Sequence, residues 1–181
     1  MASHLNPQNH WGRFRPGARQ AAVTAVLYER DGALCLPFVL RRPDLPDHPG
    51  QVALPGGGIR AGEDAWAAAA REVEEEIGIP CGHLEPIGAG SVVYTAVTNF
   101  CVVPFVARLT APDPILNHDP GELVGVIEVP LERLLDDAAW VLGRQEWMGA
   151  LFEWQGSTIW GLTGRILADL LPRFRAALAD S

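Results

Sequence analysis

The chain has 181 residues, of which 48% are hydrophobic and 20% are charged, values that are ordinary for a globular protein with a substantial core. The formal net charge of −8 leaves no broad basic footprint, which argues against general binding to nucleic acid or to an anionic membrane. An anionic ligand would therefore need a local basic patch.

The cysteine content and the N-terminal composition indicate the cellular compartment. Cys35, Cys81 and Cys101 contain no CxxC pair, so neither a disulfide framework nor a zinc site is indicated. No basic-then-apolar leader stands at the N-terminus, so we expect a cytoplasmic protein. Residues 86–107 contain no charged side chain, but their glycines and β-branched residues favour two buried strands over a membrane span.

The first 19 residues are predicted to form an irregular arm, and residues 20–181 a single domain. The arm is polar, contains prolines and carries two aromatic side chains by which it can pack. Its arginines, Arg13, Arg15 and Arg19, are alternative candidates for a contact with substrate or with a second copy of the chain in a homodimer.

A hairpin is predicted after the arm. Residues 20–29 and 33–42 have strand composition, and Asp31-Gly32 between them is a turn sequence. Because proline cannot donate a ladder hydrogen bond, Pro37 predicts an edge or a bulge in the second strand. Residues 42–58, rich in proline and glycine, then form a loop.

An amphipathic helix is predicted after that loop. Asp64 is a good N-cap, and Gly78 is suited to the left-handed residue that follows a helix ending at Ile77. An apolar stripe lets the helix dock on a core. The stripe consists of Trp66, Ala69, Ala70, Val73 and Ile77.

The same helix carries four glutamates within five residues. Glu72, Glu75 and Glu76 stand at i, i+3 and i+4 and share one face, whereas Glu74 and Arg71 point elsewhere, Glu74 into solvent. Clustered carboxylates are hard oxygen ligands of the kind that suits Mg²⁺ or Mn²⁺. The alternative is a solvated acidic face.

The remaining elements complete an α/β fold with a mixed sheet and a helix on each face. The C-terminal helix is predicted to kink at its internal proline, Pro172. In chain order they are a connector at 80–86, strands at 91–97, 99–109 and 123–130, a short helix from Pro130, a hairpin around Gln155-Gly156 and a helix at 163–180.

The segment Gly57-x₅-Glu63-x₇-Arg71-Glu72-Val73-x-Glu75-Glu76-x-Gly78-Ile79 resembles the signature of the Nudix hydrolases at every fixed position. This resemblance implies the Nudix fold, an α/β/α sandwich. It also implies hydrolysis of a phosphoanhydride bond in the presence of divalent metal ions, and it favours a metal site over a solvated acidic face.

By position, the resemblance implies that Glu72, Glu75 and Glu76 bind metal, with the main-chain carbonyl of Gly56 as a further ligand. Arg71 and Glu63 are implied to tie the loop to the helix and to aim the carboxylates. Gly57 has no Cβ and lets the backbone approach a ligand closely, so it is a candidate for substrate binding.

The general base is left open between residues of two elements. Glu75 or Glu76 on the helix is one possibility, and Glu122 in the loop before a later strand is the other. His118 and Asp119 are weaker candidates beside Glu122.

The stretch LRRPDLPDHPGQVALPGG resembles the segment that marks the coenzyme A pyrophosphatase branch, as do ELVGVIEVPLERLL and TIWGLTGRILADLL. The implied reaction cleaves coenzyme A to 3′,5′-ADP and 4′-phosphopantetheine. Arg41, Arg42 and His48 would supply the local positive charge that phosphate requires. The loop departs from the branch pattern at Asp47, where the branch has a basic residue, and it is shorter.

Other functions are also compatible with the sequence. Within the same chemistry the alternative substrates are ADP-ribose, nucleotide sugars and nucleoside triphosphates. From another class comes a non-catalytic module that senses a nucleotide, but such modules generally lose signature carboxylates and this chain keeps them.

Overall fold

The computed structural model describes residues 1–6, 14–45, 49–111, 114, 116–118, 120–145 and 148–180. The strands are β1 (Arg19–Arg30), β2 (Ala33–Arg41), β3 (Val52–Ala53), β4 (Gly56–Gly58), β5 (Leu84–Ala89), β6 (Val93–Thr95), β7 (Phe100–Leu109), β8 (Leu123–Pro130), β9 (Trp140–Leu142), β10 (Ala150–Trp154) and β11 (Ser157–Ile159). The α-helices are α1 (Ala65–Ile77), α2 (Leu131–Leu135) and α3 (Gly161–Ala179). Single 3₁₀ turns span Ala2–His4, Cys81–His83 and Asp137–Ala139.

The main sheet is mixed, as predicted. β1 and β2 form the antiparallel hairpin, and its turn residues Asp31 and Gly32 have φ values of 51° and 77°. β1 runs parallel to β7 from Arg19 to Leu27, and β7 pairs with β5 and β6 on its other side. β8 pairs antiparallel with β2. The strand order is therefore β8-β2-β1-β7 with β5 and β6 following β7.

β1 and β2 diverge beyond the hairpin, and residues 52–58 fill the gap between them. β2 pairs with β1 only as far as Cys35, after which β3 pairs with Val39 and Leu40. β4 pairs with Ala21–Val23 of β1. This insertion places three consecutive glycines in the middle of the sheet.

The prediction of an edge or a bulge at Pro37 is confirmed for a local edge and not for a bulge, because in the described ladders β2 pairs with β1 only as far as Cys35 and with β3 only from Val39. Pro37 lies inside β2 opposite Glu128 of β8, and the irregularity in this ladder falls between Leu40 and Arg41 instead. The proline is tolerated there because β2 no longer forms a ladder with β1 at this position, so a missing N–H removes no bond to that neighbour.

The core lies on both faces of the sheet. On one face Val26, Tyr28 and Val39 pack with Val73 and Ile77 of α1. On the other face α3 covers a second cluster, which includes Ala25, Leu27, Leu36, Phe38, Ile166, Leu170 and Phe174. This arrangement confirms the predicted α/β/α sandwich, with the acidic helix on one side and the C-terminal helix on the other.

Several local predictions need correction. The connector at 80–86 ends early, because β5 already begins at Leu84, and β9 was not predicted. α3 continues through Pro172 as one helix, and the kink at this proline stays a prediction. The hairpin around Gln155 and Gly156 forms as predicted between β10 and β11.

The N-terminal residues contact the domain directly. Leu5 is buried in the α3-side core, and Asn6 pairs with Ala89 of β5. Arg13 lies outside the described residues. Within the described part of the chain, no helix is long and apolar enough to cross a membrane.

Candidate active site

The acidic helix forms where its local sequence predicts it. The Asp64 carboxylate accepts hydrogen bonds from the backbone N–H groups of Trp66 and Ala67 at 2.9 and 3.2 Å, which caps the first turn. Gly78 ends the helix with φ of 73° and donates its N–H to the Glu74 carbonyl. The apolar stripe therefore docks on the sheet with the carboxylates held along its edge.

The glycine strand β4 lies directly beneath this helix. A Cβ on Gly56 would stand 2.3 Å from the Ala22 carbonyl oxygen, so only glycine fits against β1. A Cβ on Gly57 would stand 2.5 Å from the carboxyl carbon of Glu72. The strand thus touches the acidic face, and the missing side chains are what permit the approach.

Glu76 is the most deeply buried carboxylate of the helix, with 8% of its surface exposed. It accepts a hydrogen bond from the Gly56 N–H at 2.9 Å. Burial raises the pKa of Glu76 to about 7, and the charge of Glu122 acts in the same direction. The Gly56 N–H and the charge of Arg41 oppose this rise in the pKa.

Arg71 joins the loop to the other two carboxylates of the face. Its guanidinium donates to both Glu63 oxygens at 2.8 and 3.2 Å, and to the Gly58 carbonyl at 3.2 Å. One nitrogen, Nη1, also donates to Glu72 at 2.6 Å and to Glu75 at 2.9 Å. These hydrogen bonds raise the pKa of Arg71, and the pairing with Arg71 lowers the pKa of Glu63 to about 2.

The sequence-based expectation that Arg71 points away from the shared face is therefore wrong. A helical wheel places the Cβ atoms, but a long arginine side chain bends back to reach carboxylates one residue and four residues further along the helix. A second arginine, Arg60, also approaches Glu75 at 3.4 Å and donates its backbone N–H to Glu63 at 2.8 Å.

The carboxylates share a face but point at different partners. In the part of the chain that the structure describes, no three His, Cys, Asp or Glu side chains converge as a ready metal cage. The reason is visible in the contacts, because Glu72 and Glu75 turn to Arg71 and Glu76 turns to Gly56. The donor set itself suits a hard divalent cation, which would favour the ionised form of the buried Glu76.

Glu74 is not merely solvated, in contrast to the expectation from sequence. Its carboxylate accepts the backbone N–H of Cys81 at 2.9 Å. The Cys81 thiol, and then this backbone N–H, lower the pKa of Glu74. The side chain is exposed but fixes the segment that leaves the helix. A glutamate reaching forward over the αL residue that ends a helix is a local interaction that the sequence spacing alone did not reveal.

Arg41 and Arg42 are neighbours with different surroundings. Arg41 lies on the α1 side, with its Nη1 3.8 Å from Glu122, and its buried Nε has no hydrogen-bond partner among the residues that the structure describes. Arg42 instead forms two hydrogen bonds with Asp44 and donates to the Pro120 carbonyl. The structure therefore brings Arg41 and Glu122 to the acidic helix, whereas the guanidinium of Arg42 is engaged by the surrounding loops.

The remaining candidates fall outside this group. His48, Asp47 and Asp119 lie outside the described residues. His118 lines a cavity of about 710 Å³. That cavity is bounded by Arg30, Pro114, Leu116, His118, Gly125, Val126 and Glu128.

The fold and site together define an α/β/α protein with a glutamate-rich helix docked over a glycine strand and faced by an arginine. The NUDIX domain family matches residues 18–151, and the chain therefore belongs to the Nudix family. Enzymes of this family act on phosphoanhydride bonds and generally need divalent metal ions.

Individual relatives agree with this assignment. Nudix hydrolase 15 of Arabidopsis thaliana, a mitochondrial protein, is 34% identical over 86% of this chain, and the chain spans 58% of its length. An uncharacterized Nudix hydrolase, NudL, of Klebsiella pneumoniae is 34% identical over 92% of this chain and 87% of its own length. A Caenorhabditis elegans Ap4A hydrolase shares the fold, with a TM-score of 0.59 and 21% identity over 90% of this chain and 99% of that one.

Proposed function

We propose that this chain is a divalent-metal-dependent pyrophosphohydrolase whose substrate is coenzyme A or a coenzyme A derivative. The observation that carries the proposal is that acidic side chains and an arginine lie close together at one site. Glu76 is buried on an acidic helix face, and the charge of Arg41 on β2 acts on it. The buried Nε of Arg41 is a donor that has no partner within the described part of the chain. A metal-bound phosphate requires carboxylates that bind the cation and, beside them, a guanidinium that binds the phosphate.

Glu72, Glu75 and Glu76 would hold Mg²⁺ or Mn²⁺, with the Gly56 carbonyl as a further oxygen ligand. When bound, the cation would neutralise the phosphate oxygens and lower the pKa of a water molecule. Arg71 and Glu63 position these carboxylates, because Arg71 contacts Glu63, Glu72 and the backbone of β4 simultaneously.

Arg41 is proposed to bind a substrate phosphate. Its side chain stands 24% exposed beside Glu122, so it can be reached from solvent while its aliphatic stem stays fixed. A guanidinium presents two parallel N–H groups to a phosphate and keeps its charge at every physiological pH. Substrate binding by His48 and by Gly57 is part of the same proposal, and Gly57 lies against Glu72.

The reaction transfers a phosphoryl group to water. The water oxygen bonds to one phosphorus, the bridging P–O bond breaks, and the water proton passes to a carboxylate. Glu122, Glu75 and Glu76 are the candidate bases, and Glu122 differs from the others because it stands on a loop opposite the helix, 3.8 Å from Arg41. The products from coenzyme A would be 3′,5′-ADP and 4′-phosphopantetheine.

The substrate assignment depends on the loop and strand that flank the site. The segment that resembles the coenzyme A branch contains Arg41, the Gln51 carbonyl that accepts its backbone N–H, and the glycines of β4. These residues surround the acidic helix in the fold, so the resemblance falls on the site and not on a remote surface.

A substrate panel tests the proposal. Purified protein with Mg²⁺ or Mn²⁺ is given coenzyme A, dephospho-coenzyme A, ADP-ribose and dATP, and the products are identified by mass spectrometry. We expect 3′,5′-ADP from coenzyme A and no turnover in EDTA. Faster turnover of ADP-ribose would overturn the coenzyme A assignment, and no turnover of any phosphoanhydride would favour a nucleotide-sensing module.

The two neighbouring arginines give a matched pair for substrate binding. Replacing Arg41 by glutamine is expected to weaken transition-state binding by about 2 kcal/mol, roughly 30-fold in kcat/KM, because a charge-assisted contact is lost. Arg42→Gln should change kcat/KM less than about threefold, since its guanidinium already pairs with Asp44. Equal losses in both variants would contradict a phosphate contact specific to Arg41.

A further inference from the structure

The basic side chains of this protein are arginines apart from its histidines, and most of the described ones form ion pairs with carboxylates. The ion-paired arginines are Arg30, Arg41, Arg42, Arg60, Arg71, Arg108, Arg133, Arg173 and Arg175. Within the described residues, four arginines form no ion pair with a carboxylate: Arg15, Arg19, Arg144 and Arg165. Three of them, Arg15, Arg19 and Arg165, lie around the edge strand β6. We call Arg15, Arg19, Arg165, Tyr94 and Phe100 the β6 arginine surface.

Aromatic rings, not acids, hold two of these arginines. The guanidinium carbon of Arg15 stands 4.6 Å from the centroid of the Tyr94 ring, and that of Arg19 stands 4.2 Å from the centroid of Phe100. Arg165 on α3 donates to the Tyr94 carbonyl at 3.4 Å. A guanidinium held over an aromatic ring keeps its charge and its N–H donors, and these can bind an anion.

Hydrogen bonds hold the β6 arginine surface in place in the absence of a ligand. The Tyr94 hydroxyl donates to the Asn99 side chain, which in turn donates to the Gly17 carbonyl, both at 3.1 Å. The Arg19 N–H donates to the Asn99 carbonyl at 2.8 Å. The segment that carries Arg15 and Arg19 is therefore bonded to the β6–β7 turn. Because the segment is already ordered, ligand binding costs less conformational entropy.

The nearest acid on α3 is already engaged. Asp169 lies one turn beyond Arg165, but it accepts hydrogen bonds from the Ser91 N–H and hydroxyl and from Arg173. Among the described residues, no carboxylate therefore pairs with the β6 arginine surface, although the chain as a whole carries a formal charge of −8. Such a patch attracts anions from solution.

We propose that the β6 arginine surface binds a small molecule that carries more than one phosphate group. Tyr94 and Phe100 are opposite Cys101 and Thr95 in the β6–β7 ladder, so by strand alternation they face opposite sides of the sheet. The surface therefore wraps around the strand edge. Because the arginines lie on both sides of this edge, a ligand with separated phosphate groups can contact more of them than a single phosphate can.

The part of this surface that contains Arg19 is separate from the carboxylate site, whereas Arg15 and Tyr94 lie on the α1 side of the sheet. Ala22 of β1 pairs with Gly57 beneath Glu72, and Arg19 lies three residues earlier, roughly 10 Å along the strand, with its side chain on the opposite face. Binding at the β6 arginine surface needs no divalent cation. The inference consequently goes beyond the proposed hydrolysis and stands whether or not coenzyme A is the substrate.

Calorimetric titration in EDTA tests the inference, because without a divalent cation the acidic helix repels phosphate. The probes are inorganic pyrophosphate and 3′,5′-ADP. We expect salt-sensitive, saturable binding of 3′,5′-ADP that weakens at least about tenfold in Arg19→Gln/Arg165→Gln. Arg144→Gln is the matched control, since Arg144 is also an exposed arginine without an ion pair among the described residues but lies in the β9–β10 connection. The affinity of this variant should stay within about twofold of the wild-type value.

Further measurements distinguish a phosphate of the substrate from a phosphate of a separate ligand. A rise in KM for coenzyme A in the double variant identifies the ligand as substrate, and an unchanged KM identifies a separate phosphorylated ligand; both outcomes support the site. Arg19→Lys keeps the charge but loses the fork, so it should also weaken binding in a protein that melts normally. Three results would overturn the proposal. They are no binding of 3′,5′-ADP to the wild type, an equal loss of affinity in Arg144→Gln, and tighter binding to an oligonucleotide or to anionic vesicles than to 3′,5′-ADP.

Discussion

Replacing Glu75 and Glu76 together by glutamine is expected to lower kcat by on the order of 10³-fold or more while the protein stays folded. Glutamine keeps the shape of both side chains but offers a divalent cation a neutral amide in place of a carboxylate. At position 76 the amide oxygen can still accept the Gly56 N–H, which Glu76 accepts at 2.9 Å. The measurement is initial-rate hydrolysis of coenzyme A with Mg²⁺ and with Mn²⁺.

A thermal readout separates metal loss from misfolding. A ligand that binds only the folded state raises the melting temperature, so Mn²⁺ should stabilise the wild type and should fail to stabilise the double variant. Glu74→Gln is the matched control on the same helix, because its amide oxygen can still accept the Cys81 N–H and its side chain is exposed. Undiminished hydrolysis in the double variant would show that the acidic face does not hold the catalytic metal.

Local sequence rules predicted the acidic helix closely because its signals are local. Asp64 caps the first turn, Gly78 supplies the left-handed residue after the last turn, and the apolar stripe between them docks on the sheet. The strand hairpin at Asp31-Gly32 was predictable for the same reason, since two residues with positive φ set the turn and the flanking composition sets the strands.

Features that depend on distant partners were not predictable in this way. The divergence of β1 and β2 is one, because residues 52–58 insert between strands that the sequence presents as one continuous hairpin. The different surroundings of Arg41 and Arg42 are another. Adjacent residues in a strand point to opposite faces, but only the folded chain shows that Glu122 meets Arg41 and that Pro120 accepts from Arg42.

Conversely, the sequence predicted which acids of the helix share a face without giving their contacts. Spacing placed Glu72, Glu75 and Glu76 on one face, yet the side-chain directions follow from Arg71 and from Gly56, which arrive from different parts of the loop and helix. The burial of Glu76, and hence its raised pKa, is a property of the packed sheet below it. The family resemblance was therefore readable from residue spacing, whereas the contacts of the carboxylates required the folded chain.

The three glycines of β4 should respond to alanine in three different ways. At Gly56 the added Cβ would stand 2.3 Å from the Ala22 carbonyl and 2.5 Å from the Val23 Cα. These are backbone atoms of a central strand that cannot move aside. Gly56→Ala is therefore expected to lower the free energy of unfolding by about 3 kcal/mol, measured by urea denaturation.

Gly57→Ala should inactivate a protein that remains folded. Its Cβ would meet the end of the Glu72 side chain, 2.5 Å from the carboxyl carbon, and that end can rotate away. Displacing the carboxylate by about an ångström is expected to lower kcat on the order of 10²-fold, with the urea midpoint nearly unchanged. Gly58→Ala is the control, because its Cβ would meet no atom within 4 Å. Comparable kcat values for the Gly57 and Gly58 variants would show that the position of Glu72 against β4 does not govern the reaction.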